Sequence, residues 1–232
     1  MLLKNRISKI QILSDEWRTA RLGKFTSSKI ISLMADKEYS SGFMSYIYQK
    51  VGEELTGVSV DEEDAVETEA MRWGLFYESE ALQKFGKMKG LDFLIVQQLI
   101  TVPDTRFGST PDGLVVHNES ADGTAYNVST VEVKCFPTYN RYIPLALAKT
   151  PADVRKVNST VYWQVIDQMD NCDCLIGYLV VYHPKFKAGN LSVIEFKKSA
   201  LLEEFRFLKE RKRMATEKFE EVREKLISLG AF

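Results

Sequence analysis

The sequence is poor in the residues that form disulfide and zinc sites. Its 232 residues include only three cysteines and two histidines, which are Cys135, Cys172, Cys174, His117 and His183. They form no C-x-x-C pair or other zinc-ligand spacing, and the four thiolates of an iron–sulfur cluster are missing. We therefore predict three buried thiols in a reducing compartment, without a disulfide or zinc framework.

Long apolar runs and an excess of one charge are also missing. No apolar run has the length of a membrane span, and residues 1–6 lack the apolar core of a signal peptide. The net charge is −1, 45% of the residues are apolar and the mean hydropathy is −0.19. These values predict one soluble domain over residues 1–232, located in the cytoplasm and without a membrane partner.

The most informative stretch runs from Arg106 to Cys135. Residues 114–116, which follow Asp112-Gly113, are apolar and typical of a strand. Residues 118–127 are polar and predict a loop, and residues 128–135 predict the returning strand. The stretch is therefore predicted to form a hairpin.

Alternation along the returning strand would place Val131 and Val133 in a core, whereas Glu132 and Lys134 would share the opposite face. The antiparallel return would then bring Asp112 beside that pair. Two carboxylates and an ammonium group on one patch suit a hard cation such as Mg²⁺, which binds through one or two carboxylates and keeps several waters.

The pattern Pro111-Asp112 followed by Glu132-x-Lys134 resembles the PD-(D/E)XK nuclease signature. A second Pro-Asp pair, Pro103-Asp104, competes for the first position, but only Asp112 is followed by glycine and a β-branched run. The alternative interpretation of the E-x-K pair is a cross-strand ion pair without a metal.

Polar and basic residues also cluster between Trp17 and Lys29. Thr26 or Ser27 is predicted to cap the helix that follows. The N-terminus of that helix, together with Arg21, would bind a phosphate group. The alternative is that the hydroxyl groups only cap the helix and Arg21 is a solvated surface residue.

A long helix is predicted from about Val66 to Lys89. Its apolar positions recur at steps of three and four residues, and Glu78 lies among them with Met71 and Leu75. A carboxylate on an apolar face is costly unless it is paired or binds a metal. Glu78 is therefore a candidate site residue, with an ion pair at the edge of the core as the alternative.

The remaining elements follow from periodicity and turn residues. Helices are predicted at Ser45–Thr56, Ser159–Asp170 and Ser199–Leu229, strands within Leu91–Val102 and at Leu175–Tyr182 and Leu191–Phe196, and loops at Phe136–Ala152. Gln164 and Gln168 share one face of the second of these helices. They would bind a phosphate or a metal-bound water, or form an exposed face.

Together these clusters resemble the phage lambda exonuclease-like (YqaJ-type viral recombinase) family of the PD-(D/E)XK nucleases, over nearly the whole chain. The matching fragments are Trp17–Ser28 (W…RLG..T.S), Met71–Glu78 (M.WG..YE), Ser109–Leu114 (S.PDGL), Glu132–Cys135 (E.KC) and Gln164-Val165. The resemblance implies an α/β (α+β) fold with a PD-(D/E)XK restriction-endonuclease-like core, a central mixed sheet flanked by helices.

The resemblance also implies a catalytic role for several residues. Asp112 and Glu132, with the backbone carbonyl of Val133, would hold one or two Mg²⁺ ions, for which Mn²⁺ is an alternative. Lys134 would orient or activate the attacking water. Glu78 would lie near the metal, and Gln164 would support the site.

The resemblance implies DNA-binding roles for a further set of residues. The 5′-phosphate would be bound by Arg21, Ser28 and Thr26. Met71 would be an apolar wedge that separates the two DNA strands.

The activity implied by the resemblance is a metal-dependent 5′-to-3′ exonuclease acting on linear double-stranded DNA. It would leave 3′ overhangs for phage-type recombination by strand annealing, act as a homotrimeric ring, and work with a phage single-strand annealing protein in the bacterial host. Two alternatives are an endonuclease of restriction or repair type with the same signature, and a DNA-end-binding module without catalysis.

Overall fold

The computed structural model describes residues 1–12, 14–59, 68–91 and 94–230. The α-helices in these ranges are α1 (Asp15–Arg21), α2 (Ser41–Thr56), α3 (Glu69–Lys89), α4 (Tyr139–Leu147), α5 (Pro151–Val157), α6 (Ser159–Asn171) and α7 (Leu202–Ser228). The strands are β1 (Leu2–Leu3), β2 (Phe25–Thr26), β3 (Leu94–Val96), β4 (Ile100–Thr101), β5 (Phe107–Ser109), β6 (Gly113–Glu119), β7 (Ala125–Cys135), β8 (Ile176–Tyr182) and β9 (Leu191–Lys197). Short 3₁₀ helices cover Lys4–Arg6, Ser27–Leu33 and Lys198–Ala200.

A mixed sheet forms the centre of the molecule, with the strand order β3-β6-β7-β8-β9 and with β1 paired to the first part of β7. β7 and β8 are parallel, and the other pairs are antiparallel. A parallel pair needs a long crossover, which α4, α5 and α6 provide. A second, smaller sheet has the order β2-β5-β4. Because β5 ends at Ser109 and β6 begins at Gly113, Asp112 lies where the chain passes between the sheets.

Both faces of the central sheet are covered by helices. On one face, Val131 and Val133 pack with Ala81, Leu82 and Phe85 of α3. Each large apolar side chain buried in this way contributes roughly 1.5–3 kcal/mol. The other face of the sheet belongs to a larger core that it shares with α2, α6 and α7. The predicted fold class, a central mixed sheet flanked by helices, is confirmed.

Most predicted elements are confirmed, with small shifts at their ends. α2 and α3 end at Gly57 and Gly90, whose φ angles of 72° and 64° favour glycine. α3 begins at Glu69 rather than near Val66, because the Thr68 hydroxyl caps the helix by accepting from the Met71 N–H. Residues 66 and 67 lie outside the described residues.

The predicted hairpin is present, but its strands are longer than expected. β6 continues to Glu119 and β7 begins at Ala125, so the loop predicted at residues 118–127 is only residues 120–124. The side chain of Asp122 accepts hydrogen bonds from Ser120 and Thr124 and closes this turn. The polar residues 117–119 can belong to β6 because their side chains are exposed to solvent.

The prediction of loops at Phe136–Ala152 is wrong. This segment contains α4 and the start of α5, even though Pro144 lies inside α4. Tyr142 and Leu145 are buried, so tertiary packing stabilises a short helix that propensity alone disfavours. α5 begins with a capping box between Thr150 and Asp153 and with Pro151 in the first turn.

The segment after Thr26 is a 3₁₀ helix, Ser27–Leu33, rather than the capped α-helix that was predicted. Thr26 occupies the N-cap position but its side chain makes no capping hydrogen bond. The buried side chains of Ile30 and Leu33 hold the segment against the core. With seven residues of 3₁₀ helix, the segment does not provide the helix N-terminus on which the predicted phosphate site depended.

The three cysteines are free and buried, in agreement with the prediction of buried thiols. Burial, with a smaller contribution from the nearby carboxylates of Glu78 and Asp112, raises the pKa of Cys135 to about 12. This thiol is therefore protonated and a poor nucleophile at neutral pH. Within the described ranges, no helix is both long and apolar enough to pass through a bilayer.

Candidate active site

The β6–β7 hairpin brings Asp112, Glu132 and Lys134 together. Gly113 pairs with Val131, so Asp112 lies opposite the next residues of β7. The Val133 N–H donates to Asp112 Oδ2 at 2.6 Å, and Lys134 Nζ lies 2.6 Å from Glu132 Oε1. The convergence that the hairpin predicted is present in the structure.

Glu132 is fixed from the facing helix by two glutamines. Gln164 Nε2 donates to Glu132 Oε1 at 2.7 Å, and Gln168 Nε2 donates to Glu132 Oε2 at 2.6 Å. The two side chains lie one turn apart on α6, as predicted, but both are buried and bind a carboxylate. The alternative of an exposed face is wrong. Gln168 was recognised as part of this face but not as a site residue.

Glu78 approaches the same site from α3, on the other side of the sheet. It is half-buried, and its Oε1 accepts from Gln97 Nε2 at 2.7 Å. The Gln97 N–H also donates to the Asp112 carbonyl at 3.3 Å. Gln97 has a φ of 50°, an uncommon conformation for a non-glycine residue that is often found at functional sites. Sequence reasoning missed Gln97, because nothing in its local pattern marks it.

The charges at the site shift the pKa values of its members. Burial, and then repulsion from Glu132 and Glu78, raise the pKa of Asp112 well above its ordinary value. Burial also raises the pKa of Glu78, although the hydrogen bond from Gln97 lowers it in part. Burial alone would lower the pKa of Lys134, but attraction to Glu132 and Asp112 outweighs it and the pKa is raised. Lys134 is therefore a cation that donates hydrogen bonds.

The donor set fits a divalent cation. Three carboxylates face one ammonium group, so the site carries excess negative charge in a partly buried position. In the part of the chain that the structure describes, no three His, Cys, Asp or Glu side chains form a ready-made metal cluster. Asp112 and Glu132, supplemented by the Val133 carbonyl and by water, match the sparse protein ligation that Mg²⁺ uses.

Arg21, Thr26 and Ser28 line the same cleft as the carboxylates. The cleft has a volume of about 210 Å³, and its lining includes Glu78 and Asp112. Its lining also includes Gln164 and Gln168, and Ser27 between the two predicted hydroxyl residues. The predicted phosphate-binding residues thus share a cleft with Asp112 and with the two glutamines that hold Glu132.

Arg21 is held by an aromatic ring rather than being a solvated residue. Its guanidinium carbon lies 3.9 Å from the centre of the Trp17 ring, a stacking geometry that orients the guanidinium plane. Thr26 Oγ1 and Ser28 Oγ are 3.3 Å apart, and the Thr26 N–H donates to Tyr46 Oη at 2.9 Å. Both residues line the cleft, and their hydroxyl groups lie beside each other, with no capping hydrogen bond from Thr26.

Met71 is the predicted site residue that lies apart from the others. It is in the first turn of α3, where it is 55% exposed and does not line the cleft. Leu75, one turn further along α3, lines the cleft instead. The role of Met71 as a strand-separating wedge stays a prediction.

Comparisons with known proteins agree with this geometry. The chain resembles the solved alkaline exonuclease LHK-Exo from Laribacter hongkongensis, determined alone and with dAMP, with a TM-score of 0.67 and 21% identity over 93% of this chain and 100% of that one. It also resembles a phage-related exonuclease from Haemophilus somnus 129PT, with a TM-score of 0.61 and 13% identity over 88% and 96% of the two chains. A comparison with curated protein sequences gives no significant match.

The TM-scores show a shared fold, which is of the PD-(D/E)XK nuclease type, and at these low identities they show the fold alone. The family follows from the sequence itself. A profile of the YqaJ-like viral recombinase domain matches residues 16–174, which include α1, the cleft-lining segment at Thr26 to Ser28, the hairpin and α6. The match spans more than half of the chain and contains every candidate site residue, and the protein therefore belongs to the family of YqaJ-like viral recombinase domains.

Proposed function

We propose that the protein is a metal-dependent exonuclease that degrades one strand of linear double-stranded DNA from its 5′ end. The observation that supports this most directly is the shared cleft, in which Asp112 lies with Arg21 and Ser28. Gln164 and Gln168, which also line the cleft, hold Glu132, and Glu132 pairs with Lys134. Family membership and the exonucleases among the similar structures support nuclease activity. The family also implies a divalent metal.

The chain contributes to the reaction by holding groups in place. Asp112, Glu132 and the Val133 carbonyl would hold Mg²⁺, one ion or two, or Mn²⁺ in its place. Such a cation supplies Lewis-acid stabilisation of charge that develops on the phosphate. Lys134 is cationic, so it would donate to and orient the attacking water rather than remove its proton.

Glu132 is the most firmly positioned of these groups. The amides of Gln164 and Gln168 and the ammonium of Lys134 all donate to its two oxygens. Such partners fix the direction of a ligand's lone pairs before a metal or substrate arrives, which lowers the cost of reaching the reactive geometry. Glu78 adds negative charge at the edge of the site, where it would strengthen attraction for a cation.

The polarity of degradation would come from the residues of the cleft that are suited to bind phosphate. Arg21, Thr26 and Ser28 offer a guanidinium group and two hydroxyl groups, a set that suits a terminal phosphate. A 5′-phosphate held there would place a bond near the strand end at the carboxylates. A contact that requires a chain end favours an exonuclease over an endonuclease.

The products and partners follow from this activity as further parts of the proposal. Removal of one strand would leave 3′ single-stranded overhangs, the substrate of a phage single-strand annealing protein in strand-annealing recombination. A homotrimeric ring around the duplex would keep the enzyme on its substrate. The reaction would take place in the cytoplasm of a bacterial host, from a gene of a phage or prophage.

The test uses a linear duplex labelled separately at its 5′ and 3′ ends, with and without a 5′-phosphate, in Mg²⁺ and in EDTA. We expect Mg²⁺-dependent loss that begins at phosphorylated 5′ ends and stops in EDTA. Lys134→Ala should reduce the rate by at least about a hundredfold, the scale of a positioned proton or hydrogen-bond donor. Lys149→Ala, at an exposed lysine distant in sequence from the hairpin, is the matched control.

A closed circular duplex of the same sequence distinguishes the alternatives. Cleavage of the circle would favour an endonuclease with the same carboxylates and lysine. DNA binding without turnover in Mg²⁺ or Mn²⁺ would indicate a binding module and contradict the catalytic assignments. Degradation that begins at 3′ ends would refute the proposed polarity while leaving the nuclease chemistry intact.

A further inference from the structure

α6 also carries Asp167, which lies between the two glutamines in sequence and contacts the segment at Ser27 instead of Glu132. Asp167 is fully buried. Its Oδ2 accepts a 2.6 Å hydrogen bond from the hydroxyl of Ser27, and the Asn171 side chain donates to the same oxygen at 3.0 Å. Ser27 is the first residue of the 3₁₀ helix and stands between Thr26 and Ser28.

The charge of Asp167 is compensated from α7. Lys212 Nζ lies 2.6 Å from Asp167 Oδ1 and 2.8 Å from Asp170 Oδ2, and it donates to Asn171 Oδ1 at 2.9 Å. Lys212 is 8% exposed, so the pair is removed from water. A buried carboxylate is costly without such a partner: burial raises the pKa of Asp167, and the Lys212 ammonium offsets part of that rise.

The neighbours of Asp167 require a carboxylate. Ser27 and Asn171 donate to Oδ2, and the Lys212 ammonium forms an ion pair with Oδ1, so both oxygens face positive or hydrogen-bond-donating groups. An amide in its place would offer a single acceptor oxygen and two unwanted donors. The geometry is thus specific for an acidic residue rather than for any polar residue of that size.

The consequence is that one helix contacts both groups of site residues, the carboxylates of the hairpin and the hydroxyl-bearing segment at Thr26 to Ser28. Gln164 and Gln168 hold Glu132, and Asp167 holds Ser27, whose neighbours Thr26 and Ser28 line the cleft. The separation between the carboxylates and the hydroxyl groups is therefore set by α6. The first turn of the 3₁₀ helix has no side-chain cap of its own, which increases its dependence on the Asp167 contact.

We propose that Asp167, with Lys212, is a positioning pair that places Thr26 and Ser28 for recognition of the terminal phosphate. The inference rests on the proposed function and adds a specificity-determining contact to it. Asp167 acts through Ser27 and does not touch the substrate. Its loss should weaken the preference for phosphorylated ends while Glu132, still held by its glutamines, continues to support turnover.

The test measures kcat and KM on duplexes with a 5′-phosphate or a 5′-hydroxyl end, for the wild-type chain and for Ser27→Ala, Asp167→Asn and the double variant. The ratio of kcat/KM between the two ends should fall about tenfold in each single variant, the scale of a lost hydrogen bond to a charged group. The change should lie mainly in KM for the phosphorylated end, with kcat on hydroxyl ends within about twofold of wild type.

Two features separate positioning from general destabilisation. The double variant should show no further loss of the ratio, because both single changes remove the same contact. Asp170→Asn is the matched control: Asp170 is on the same helix and binds the same Lys212, but it has no hydrogen bond to Ser27. It should keep the wild-type ratio. Ser27→Ala removes one hydroxyl group only, and its thermal unfolding verifies that it folds.

The outcomes distinguish this inference from the function on which it rests. A wild-type enzyme that degrades phosphorylated ends preferentially, while Ser27→Ala and Asp167→Asn keep the same preference, would overturn the positioning role and leave the exonuclease proposal standing. An equal loss of preference in Asp170→Asn would also overturn it. A wild-type chain without metal-dependent degradation, or without preference for a 5′-phosphate, overturns the corresponding part of the proposed function and this inference with it.

Discussion

At the scale of single residues, the site gathers groups that destabilise one another in the absence of a cation. Asp112, Glu132 and Glu78 share one ammonium group, Lys134, and burial strengthens every interaction among them. A protein selected for stability alone would not keep this set of charges. The arrangement fits the proposed function, in which stability is given up for cation binding and catalysis.

Asp112→Asn should make the metal-free protein more stable, increasingly so as the pH rises. The native pKa of Asp112 is raised, so the native state keeps a proton that the unfolded chain loses. The contribution of Asp112 to stability is therefore most favourable below the ordinary carboxyl range and declines as the pH rises towards the native pKa. Each unit of that shift amounts to about 1.4 kcal/mol.

Urea unfolding in EDTA between pH 4 and pH 8 is the measurement. The free energy of unfolding of the variant should exceed that of wild type by at least about 1 kcal/mol at pH 8 and by little at pH 4. Asparagine still accepts from the Val133 N–H, so the hairpin contact is kept. Mg²⁺ should narrow the difference by stabilising the wild-type native state. A variant that is less stable than wild type at pH 8 would contradict the electrostatic account.

The residues that could be predicted from sequence are those whose positions depend on local alternation. Asp112, Glu132 and Lys134 meet because side chains alternate between the two faces of a strand and the hairpin pairs its two strands in one register. Gln97 and Asp167 could not be predicted in the same way. Their partners, Glu78 and Ser27, belong to other elements, and the contacts form only after the helices pack on the sheet.

At the scale of elements, α6 has the largest influence on the site, because it packs on the sheet directly behind Glu132. Its 3.6-residue period could be read from the sequence, and so could the shared face of Gln164 and Gln168. The partner of that face, Glu132, could not be read from the sequence, because its position depends on the parallel register of β7 and β8. The same reasoning explains the error at α4, where buried Tyr142 outweighs an unfavourable proline.

Gln168→Met should weaken cation binding, even though Gln168 was not among the predicted site residues. The change keeps the length of the side chain but removes the hydrogen-bond donor to Glu132 Oε2. The Glu132 carboxylate is then held less firmly, and its Oε2 atom has lost a hydrogen bond. Loss of such outer contacts costs about 10–100-fold in metal affinity or activity. We expect a loss of about tenfold or more in Mn²⁺ affinity by calorimetry without DNA, and a matching rise in the Mg²⁺ concentration that half-saturates the rate.

Gln49→Met is the control for this prediction. Gln49 donates to a buried glutamate, Glu53, in the same manner but does not line the cleft. Its replacement should leave cation affinity unchanged. If both variants lose affinity to the same degree, the effect is one of general stability and the role of Gln168 in holding Glu132 is wrong.

Gly177→Ala should separate α6 from the sheet. A Cβ atom at Gly177 in β8 would lie 2.8 Å from Met169 of α6 and 3.0 Å from the Thr130 hydroxyl, both too close without movement. Overpacking of this kind typically costs about 1–3 kcal/mol. The variant should lose that much stability in urea unfolding and should also lose activity, because α6 carries both glutamines that hold Glu132.

A second substitution tests whether the clash is the cause. Met169→Ala in the Gly177→Ala background should destabilise by less than it does in wild type, since it removes the atoms that the new Cβ meets. Gly52→Ala, inside α2 with no atom within 4 Å of the added Cβ, should instead stabilise by about 0.5–1 kcal/mol. A Gly177→Ala protein as stable and active as wild type would show that α6 has more freedom than the packing indicates.

At the scale of the whole molecule, the C-terminal helix packs against elements that carry the candidate active site. The family match ends at residue 174, before α7, yet Phe219 of α7 packs edge-on against Phe25 at 6.0 Å and Lys212 supports Asp167. The Arg106 guanidinium lies 3.8 Å from the centre of the Phe219 ring. A single domain over the whole chain stays a prediction, and these contacts are what support it.

The overall charge of −1 constrains how the proposed enzyme would bind DNA. A nearly neutral protein gains little long-range attraction to a polyanion, so affinity must come from a few local contacts. Arg21 is the cation in the cleft that is suited to a terminal phosphate. Arg21→Gln should therefore weaken binding to phosphorylated duplex ends about tenfold, the scale of a lost charge-assisted hydrogen bond, and leave hydroxyl ends unchanged.

Fluorescence anisotropy across a salt series in EDTA, where DNA is bound but not cut, measures both the affinity and its salt dependence. Loss of one phosphate contact should reduce the slope of log affinity against log salt by about 0.9. Arg18→Gln is a matched control, because Arg18 is on the same helix, is paired with Asp15 at 3.1 Å and does not line the cleft. Both variants change the net charge equally. Equal weakening in the two would therefore mean that binding follows overall charge, whereas a loss confined to Arg21→Gln and to phosphorylated ends identifies a local phosphate contact.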